Sequence, residues 1–173
     1  MIDTPLLITE RLELWKPAIR DHQSLFALTE DAETRRFLGD RPASMQDSFE
    51  RVQRNAGGWA LHGYGTFMVR LKSENDIVCT CGVFRSWRSK PGLDDVPEAG
   101  WIVHRDHWRK GIAGEAMRAI MAWFDRVHGA QRIGCMIEAG NAPSERLAAA
   151  MGFVEYLREP EDERTVVLYE RLP

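Results

Sequence analysis

Apolar positions along the chain switch several times between a period of two and a period of three to four, which predicts strands and helices interleaved in one unit. Residues 5–16, PLLITERLELWK, alternate from Ile8 through Leu12 and Leu14 and close at Pro17, predicting a first strand. Asp21 stands where it can cap a helix through Leu25, Phe26, Leu28 and Thr29. Ser44, with Asp47 three positions on, opens a second helix with Phe49, Val52 and Leu61 on its apolar side. Gly57-Gly58 should weaken or bend that helix, either as a plain interruption or as a flexible joint. GTFMVRL (65–71) and DIVCTCGVFR (76–85) are β-rich runs joined by four polar residues, which is hairpin spacing.

The middle of the chain carries the densest signal. After a polar stretch from Ser86 to Pro97, read as an exposed loop, an apolar run from Ala99 to Val103 predicts a strand. Within the loop, Trp87, Arg85 and Arg88 read either as ligand contacts or as a surface segment with one anchoring Trp. A polar turn then leads to Arg109-Lys110-Gly111-Ile112-Ala113-Gly114 and directly into a helix with Ala113, Ala116, Met117, Ile120, Trp123, Phe124 and Val127 on one face. Glu115 lies in its first turn, His128 in its last and Gly129 beyond it, all at favoured places. A strand over 132–139 follows, so strand, helix and strand make a right-handed crossover with the two strands parallel. Asn141, Pro143 and Ser144 open a short helix stopped at Gly152-Phe153, and two β runs, 153–157 and 165–172, close the chain as a hairpin.

Composition narrows the class. The chain has 173 residues, 44% of them hydrophobic and 28% charged, which predicts one soluble domain over 1–173 that buries ~70% of its unfolded surface. No run approaches the ~20 apolar residues of a membrane span, and the N-terminus lacks the basic-then-apolar pattern of a signal peptide, so no membrane partner and a cytoplasmic location are expected. A net charge of −3 without a basic block argues against nucleic acid as a partner. Cys79, Cys81 and Cys135 lack metal or disulfide spacing and read as reduced, packed thiols. His104 and His107, with Asp106 between them, lack zinc-motif spacing, so no metal is expected. No Ser sits in a G-x-S-x-G turn, which leaves a Ser hydrolase unsupported.

The join at 109–114 has a physical use. A helix start offers unpaired N–H groups and the positive end of the peptide dipole, small residues allow a pyrophosphate to approach, and Arg109 and Lys110 add charge. Read from the residues alone, the same hexapeptide is equally a tight turn with two solvated basic side chains. Its order Trp108, Arg109, Lys110, Gly111, Ile112, Ala113 resembles the acyl-CoA motif Q/R-x-x-G-x-G/A of the GNAT family of N-acetyltransferases. Trp108 departs from the first position in the manner of the Rim-type ribosomal-protein N-terminal acetyltransferases, whose strands often read E-x-G-aromatic as Glu98, Gly100 and Trp101 do. The phrase TERLELWKP with the later Arg36-Phe37-Leu38 is similar to the start of that branch, and Asn141-x-x-Ser144 before Gly152-Phe153 to the family's second cofactor motif.

The resemblance implies an α/β (α+β) fold: a mixed, mostly antiparallel sheet flanked by helices, with one splayed parallel strand pair at the cofactor cleft. It implies acetyl transfer from acetyl-CoA to a primary amine, a protein N-terminus or a small molecule, by direct attack in a ternary complex. Trp101, Ile102 and Val103 would then meet the pantetheine arm, residues 109–114 the pyrophosphate, and Asn141 the pantetheine, a helix cap, or both. Glu98 is the first candidate for general base, acting through water, with a solvated strand-edge carboxylate as the bland alternative and Glu138 in reserve. Many relatives protonate the thiolate with a Tyr where this chain has Ala148, so Ser144 is the candidate acid, with a helix-cap hydroxyl as its structural alternative. A non-catalytic acyl-CoA-binding or sensor module is the competing class, and a homodimer is left open.

Overall fold

The computed structural model describes residues 4–38, 42–161 and 163–173. Its first departure from the sequence reading is local. Residues 5–16 form two short antiparallel strands, Leu7–Ile8 (β1) and Leu12–Trp15 (β2), instead of one. The Thr9 hydroxyl accepts the Leu12 N–H at 3.0 Å and Thr9 N–H reaches the Leu12 carbonyl at 2.9 Å, so the turn closes on a side chain that alternation cannot reveal.

Helices His22–Glu30 (α1), Ala32–Arg35 (α2) and Met45–His62 (α3) follow. Asp21 sits at the α1 N-cap, but its carboxylate does not cap that helix. It accepts the Ala18 N–H at 2.7 Å, closing the preceding 3-10 turn, and pairs with Arg70 at 2.5 Å while only 2% exposed. Ser44 does cap α3, accepting the Asp47 N–H at 3.0 Å. The helix continues through Gly57-Gly58 without interruption, and its inward side carries Ser48, Val52 and Trp59. Phe49 is exposed and Leu61 is 81% exposed, because the helical stripe that meets the sheet runs between them.

The rest of the sheet is Thr66–Leu71 (β3), Ile77–Phe84 (β4), Glu98–Val103 (β5), Ile133–Glu138 (β6), Val154–Glu161 (β7) and Arg164–Arg171 (β8). Helix Ile112–His128 (α4) links β5 to β6, and Ala142–Ala150 (α5) follows β6. Strand order is β1-β2-β3-β4-β5-β6-β8-β7, antiparallel throughout except for the parallel pair β5–β6. This is the mixed, mostly antiparallel α/β fold the resemblance implied.

Alternation sorts the strands onto two faces. Ala99, Cys79, Cys81, Ile133 and Cys135 pack with Met117, Ile120, Trp123 and Phe124 of α4, whereas Met68, Ile77 and Ile102 face Leu25 and Leu28 of α1 and Val52 of α3. Cys79, Cys81 and Cys135 are buried free thiols, and burial pushes the Cys135 thiol well above its usual range. Val127, at the end of the predicted stripe, is 54% exposed. The loop before β5 is anchored by Leu93, fully buried, while Trp87 is 78% exposed. A Cβ on Gly134 would lie 2.4 Å from Leu93 Cδ2, so β6 has a glycine where the loop crosses it. Among the described residues no helix is long and apolar enough to cross a membrane.

One polar tie fixes α4 to the N-terminal turn. The Glu115 carboxylate accepts from the Thr9 hydroxyl at 2.5 Å, from Arg11 N–H at 2.9 Å and from Arg11 Nε at 2.7 Å. Burial raises its pKa, but these donors and the Arg11 charge outweigh that and hold it below the ordinary 4.5. A carboxylate depressed in the folded state adds stability that is complete above its unfolded pKa and fades as pH falls through the folded one. Glu115→Gln should therefore melt below the parent at pH 7, and the gap should close on acidification below about pH 4 in thermal scans across pH. Separately, a Cβ on Gly82 would come within 2.4 Å of the Gly65 carbonyl oxygen, a backbone atom that cannot swing aside. Gly82→Ala should lose about 2 kcal/mol in urea titrations.

Candidate active site

The two parallel strands stay together only briefly. Registered pairs between β5 and β6 are Glu98↔Gly134 and Ala99↔Cys135. Beyond them β5 continues on β4 as far as Cys79↔Val103, and β6 continues on β8 as far as Glu138↔Val166. A wedge therefore opens between Gly100–Val103 on one side and Met136–Glu138 on the other, with strand edges facing it that the sheet leaves unpaired. Backbone N–H and C=O groups there are available to an extended ligand. Trp101, Ile102 and Val103 are half-buried along it.

One side chain bridges the wedge. The Trp101 indole N–H donates to Ser144 Oγ at 3.2 Å, tying β5 to the first turn of α5. Asn141 caps that helix, its side-chain oxygen accepting the Ser144 N–H at 3.3 Å. Ser144 Oγ thus accepts from Trp101 and keeps its own O–H proton to donate. The Trp108 indole N–H donates to the Val103 carbonyl at 2.8 Å and closes the far end of the strand.

The wedge leads to the start of α4. Gly111 is its N-cap at φ 76° and ψ 8°, a left-handed conformation, and Arg109 also has positive φ at 60°. Glu115 N–H makes the first helical bond, to the Gly111 carbonyl, so the N–H groups of Ile112, Ala113 and Gly114 stand free at the positive end of the dipole. Arg109 and Lys110 are exposed beside them. Arg11 joins the same cluster, donating to the Lys110 carbonyl at 2.9 Å and pairing with Glu115 at 2.7 Å. Sequence reasoning missed Arg11, which lies about a hundred residues away, and only the matched N-terminal phrase pointed near it.

Glu98 lies at the start of β5 with 3% exposure, on the α1/α3 face of the sheet. Both its oxygens are engaged: Arg88 donates from Nε at 2.7 Å and from Nη2 at 2.8 Å, and the Ser86 hydroxyl makes a further short bond. It is therefore a buried, paired carboxylate and not a solvated strand edge. Desolvation lowers the Arg88 pKa, but Glu98 outweighs it and leaves Arg88 raised. The loop carrying Arg88 is pinned by Asp94, which accepts the Arg88 N–H at 2.6 Å, and by Tyr156, which donates to the Pro91 carbonyl at 2.8 Å. Glu138, the reserve candidate, ends β6 and pairs with Arg164 at 3.2 Å.

Ala148 is fully buried and offers no hydroxyl to the wedge. The His104 and His107 rings stand 6.3 Å apart, and His104 Nδ1 accepts the Asp106 N–H. His107 titrates below its usual value through desolvation and the neighbouring Lys110 and His104. Among the described residues no group of three or more His, Cys, Asp or Glu gathers to hold a metal ion.

A wedge in a mixed sheet that ends at a glycine-capped helix start suits an extended ligand with an anionic end. The family model of the acetyltransferase (GNAT) domain matches residues 11–154. An uncharacterized N-acetyltransferase, YoaA of Bacillus subtilis, is 25% identical over 150 residues, 86% of this chain and 82% of its own. A solved structure described as a GnaT-family acetyltransferase, from Bordetella pertussis, is 31% identical with a TM-score of 0.86, covering 95% of this chain and 98% of that one. The microcin C7 self-immunity acetyltransferase MccE, solved in complex with acetyl-CoA and AMP, shares the fold with a TM-score of 0.75 at 12% identity, covering 95% of this chain and 94% of that one. The chain thus belongs to the GNAT family of acetyltransferases.

Proposed function

We propose that this protein transfers the acetyl group of acetyl-CoA to a primary amine by direct attack in a ternary complex. The observation that carries the reading is the β5–β6 wedge running from a buried carboxylate, past a Trp101–Ser144 bridge, to the free N–H groups of α4. Acetyl-CoA would supply an activated thioester, and the chain would supply position and proton transfer. Trp101, Ile102 and Val103 offer strand-edge backbone groups to the pantetheine arm, and Asn141 lies opposite them. Arg109, Lys110, Gly111, Ile112, Ala113 and Gly114 form the pyrophosphate cradle, with Arg11 as an added cation.

In this reading the Ser144 hydroxyl, oriented by Trp101, donates its free proton to the departing sulfur. Glu98 accepts the amine proton through water. To do so the carboxylate must exchange one of its bonds to Arg88 or Ser86 for that water, so Arg88 and Ser86 help set its availability. The acceptor reads as a protein N-terminus of the Rim type, from the N-terminal phrase and from Glu98, Gly100 and Trp101 in the E-x-G-aromatic pattern. A small-molecule amine fits the same chemistry. The competing reading, a sensor that binds acyl-CoA without turnover, draws support from the absence of a hydroxyl at Ala148.

Calorimetric titration with acetyl-CoA tests the donor site. The parent should bind, and Gly111→Asp, which places bulk and negative charge at the left-handed cap, should lose at least tenfold in affinity while keeping its far-ultraviolet circular dichroism. A folded parent that binds no acetyl-CoA would sink the donor assignment. Turnover against an amine panel, followed by mass spectrometry of the acetylated product, tests the roles. Ser144→Ala and Glu98→Gln should each lower kcat by about a hundredfold. Full activity in both variants would remove the roles given to them, and acetyl-CoA binding without any turnover by the parent would favour the sensor.

A further inference from the structure

The proposed donor site and the proposed base stand on opposite faces of the sheet. Ala148 of α5, Trp101 and the buried side of α4 all belong to the α4 core, and the Trp101–Ser144 bond lies there with them. Glu98 turns the other way, as Ile102 does, toward α1 and α3. In direct attack the amine that gives its proton to Glu98 therefore reaches the wedge from the α1/α3 face. The side chains of that face meet whatever the amine carries.

Phe84 is the informative residue. Cys79, Cys81 and Val83 of β4 pack in the α4 core, so Phe84 at the strand's end faces the other way. It is registered against Glu98, and its ring runs along the face to Gly100, where a Cβ would lie 3.1 Å from Phe84 Cε1 and 3.2 Å from Cζ. Gly100 is not in the left-handed region, so the backbone does not call for glycine there; the close approach of the ring does. Phe84 is half-buried, which leaves part of the ring open to solvent. Across the wedge, past the last registered pair Ala99↔Cys135, stands Met136 of β6, also half-buried. The charges nearest to this stretch are paired at its two ends, Glu98 with Arg88 and Glu138 with Arg164. Between them Phe84, Gly100, Ile102 and Met136 offer an uncharged surface.

We propose that Phe84 is a specificity-determining residue for the acceptor. Its ring, seated on Gly100, walls the approach of the amine to Glu98 and selects amines whose adjoining carbon carries an apolar substituent over those that carry a carboxylate. An apolar group gains burial against the ring and the Met136 thioether. A carboxylate would give up its hydration there and face the negative side of an aromatic quadrupole. This inference rests on acetyl transfer as proposed above and adds the chemical class of the acceptor.

Peptides that differ only in their first residue, Ala, Leu or Asp, are the probes, with kcat/KM taken from mass spectrometry of the acetylated product. The parent should use the Ala and Leu peptides about tenfold better than the Asp peptide. Phe84→Ala should cut that ratio to about threefold or less, chiefly by raising KM for the Ala and Leu peptides, and should keep the parent's calorimetric affinity for acetyl-CoA. The ratio does not depend on how much of a variant is folded, so a role for Phe84 in packing alone would leave it unmoved. Gly100→Ala, whose methyl displaces the ring into the approach, should lower use of the Leu peptide more than that of the Ala peptide. Phe84→Ala in the same chain should remove that difference, because the methyl then meets no ring. A Phe84→Ala variant that keeps the parent's ratio overturns the proposal, as does a Gly100→Ala effect that persists without the ring. So does a parent that treats the peptides alike, or that acetylates other amines and none of them. A parent that binds no acetyl-CoA removes acetyl transfer itself, which sets that failure apart from the others.

Discussion

The parting of β5 from β6 after two registered pairs is the constraint on which the site depends. Each strand keeps an antiparallel partner on its outer side, β4 for one and β8 for the other, so the divergence does not cost the sheet its continuity. It leaves two inner edges with main-chain groups that the sheet does not pair, of which the Trp108 indole takes up the Val103 carbonyl. The crossover helix α4 then begins beyond the end of β5, and its first-turn N–H groups are free of helical partners. Loss of that parting would remove the cleft while leaving every named side chain in place.

Polar ties hold the walls of the wedge. The Trp101–Ser144 bond crosses it, and the Thr9, Arg11 and Glu115 cluster fixes the helix start against the N-terminal turn. At the narrow end, Arg88 and Ser86 saturate a carboxylate that is 3% exposed. Burying a carboxylate is costly unless it is paired and hydrogen-bonded, which Arg88 and Ser86 provide. The loop before β5 that carries Arg88 is itself anchored through Leu93 on Gly134 and through Tyr156.

Features set by short-range patterns were legible in the sequence. The helical stripe of α4, the Ser44 and Asn141 caps and the helix start after the turn at Gly111 all rest on neighbouring residues three or four positions apart. The split of β1 from β2 was not, because it rests on one Thr9 hydroxyl bond, and Asp21 read as a helix cap because its Arg70 partner is 49 residues away. Arg11 was invisible for the same reason, since its partners are 99 and 104 residues distant. Leu61 read as core because a stripe of apolar letters does not say which part of it meets the sheet. The strand and helix that carry Glu98, Trp101 and Ser144 were legible, whereas the bonds that join Glu98 to Arg88 and Trp101 to Ser144 needed coordinates.

The central claim is that the acyl donor lies in the wedge with its phosphates on α4, and amide NMR on a uniformly 15N-labelled sample tests it most directly. Titration with acetyl-CoA should shift the backbone N–H signals of Ile112, Ala113 and Gly114, those of Trp101–Val103, and the Trp101 indole N–H, with smaller effects on β1, β2 and β7. Saturable binding that leaves those signals unmoved, or moves only the signals of α1 and α3, would contradict it.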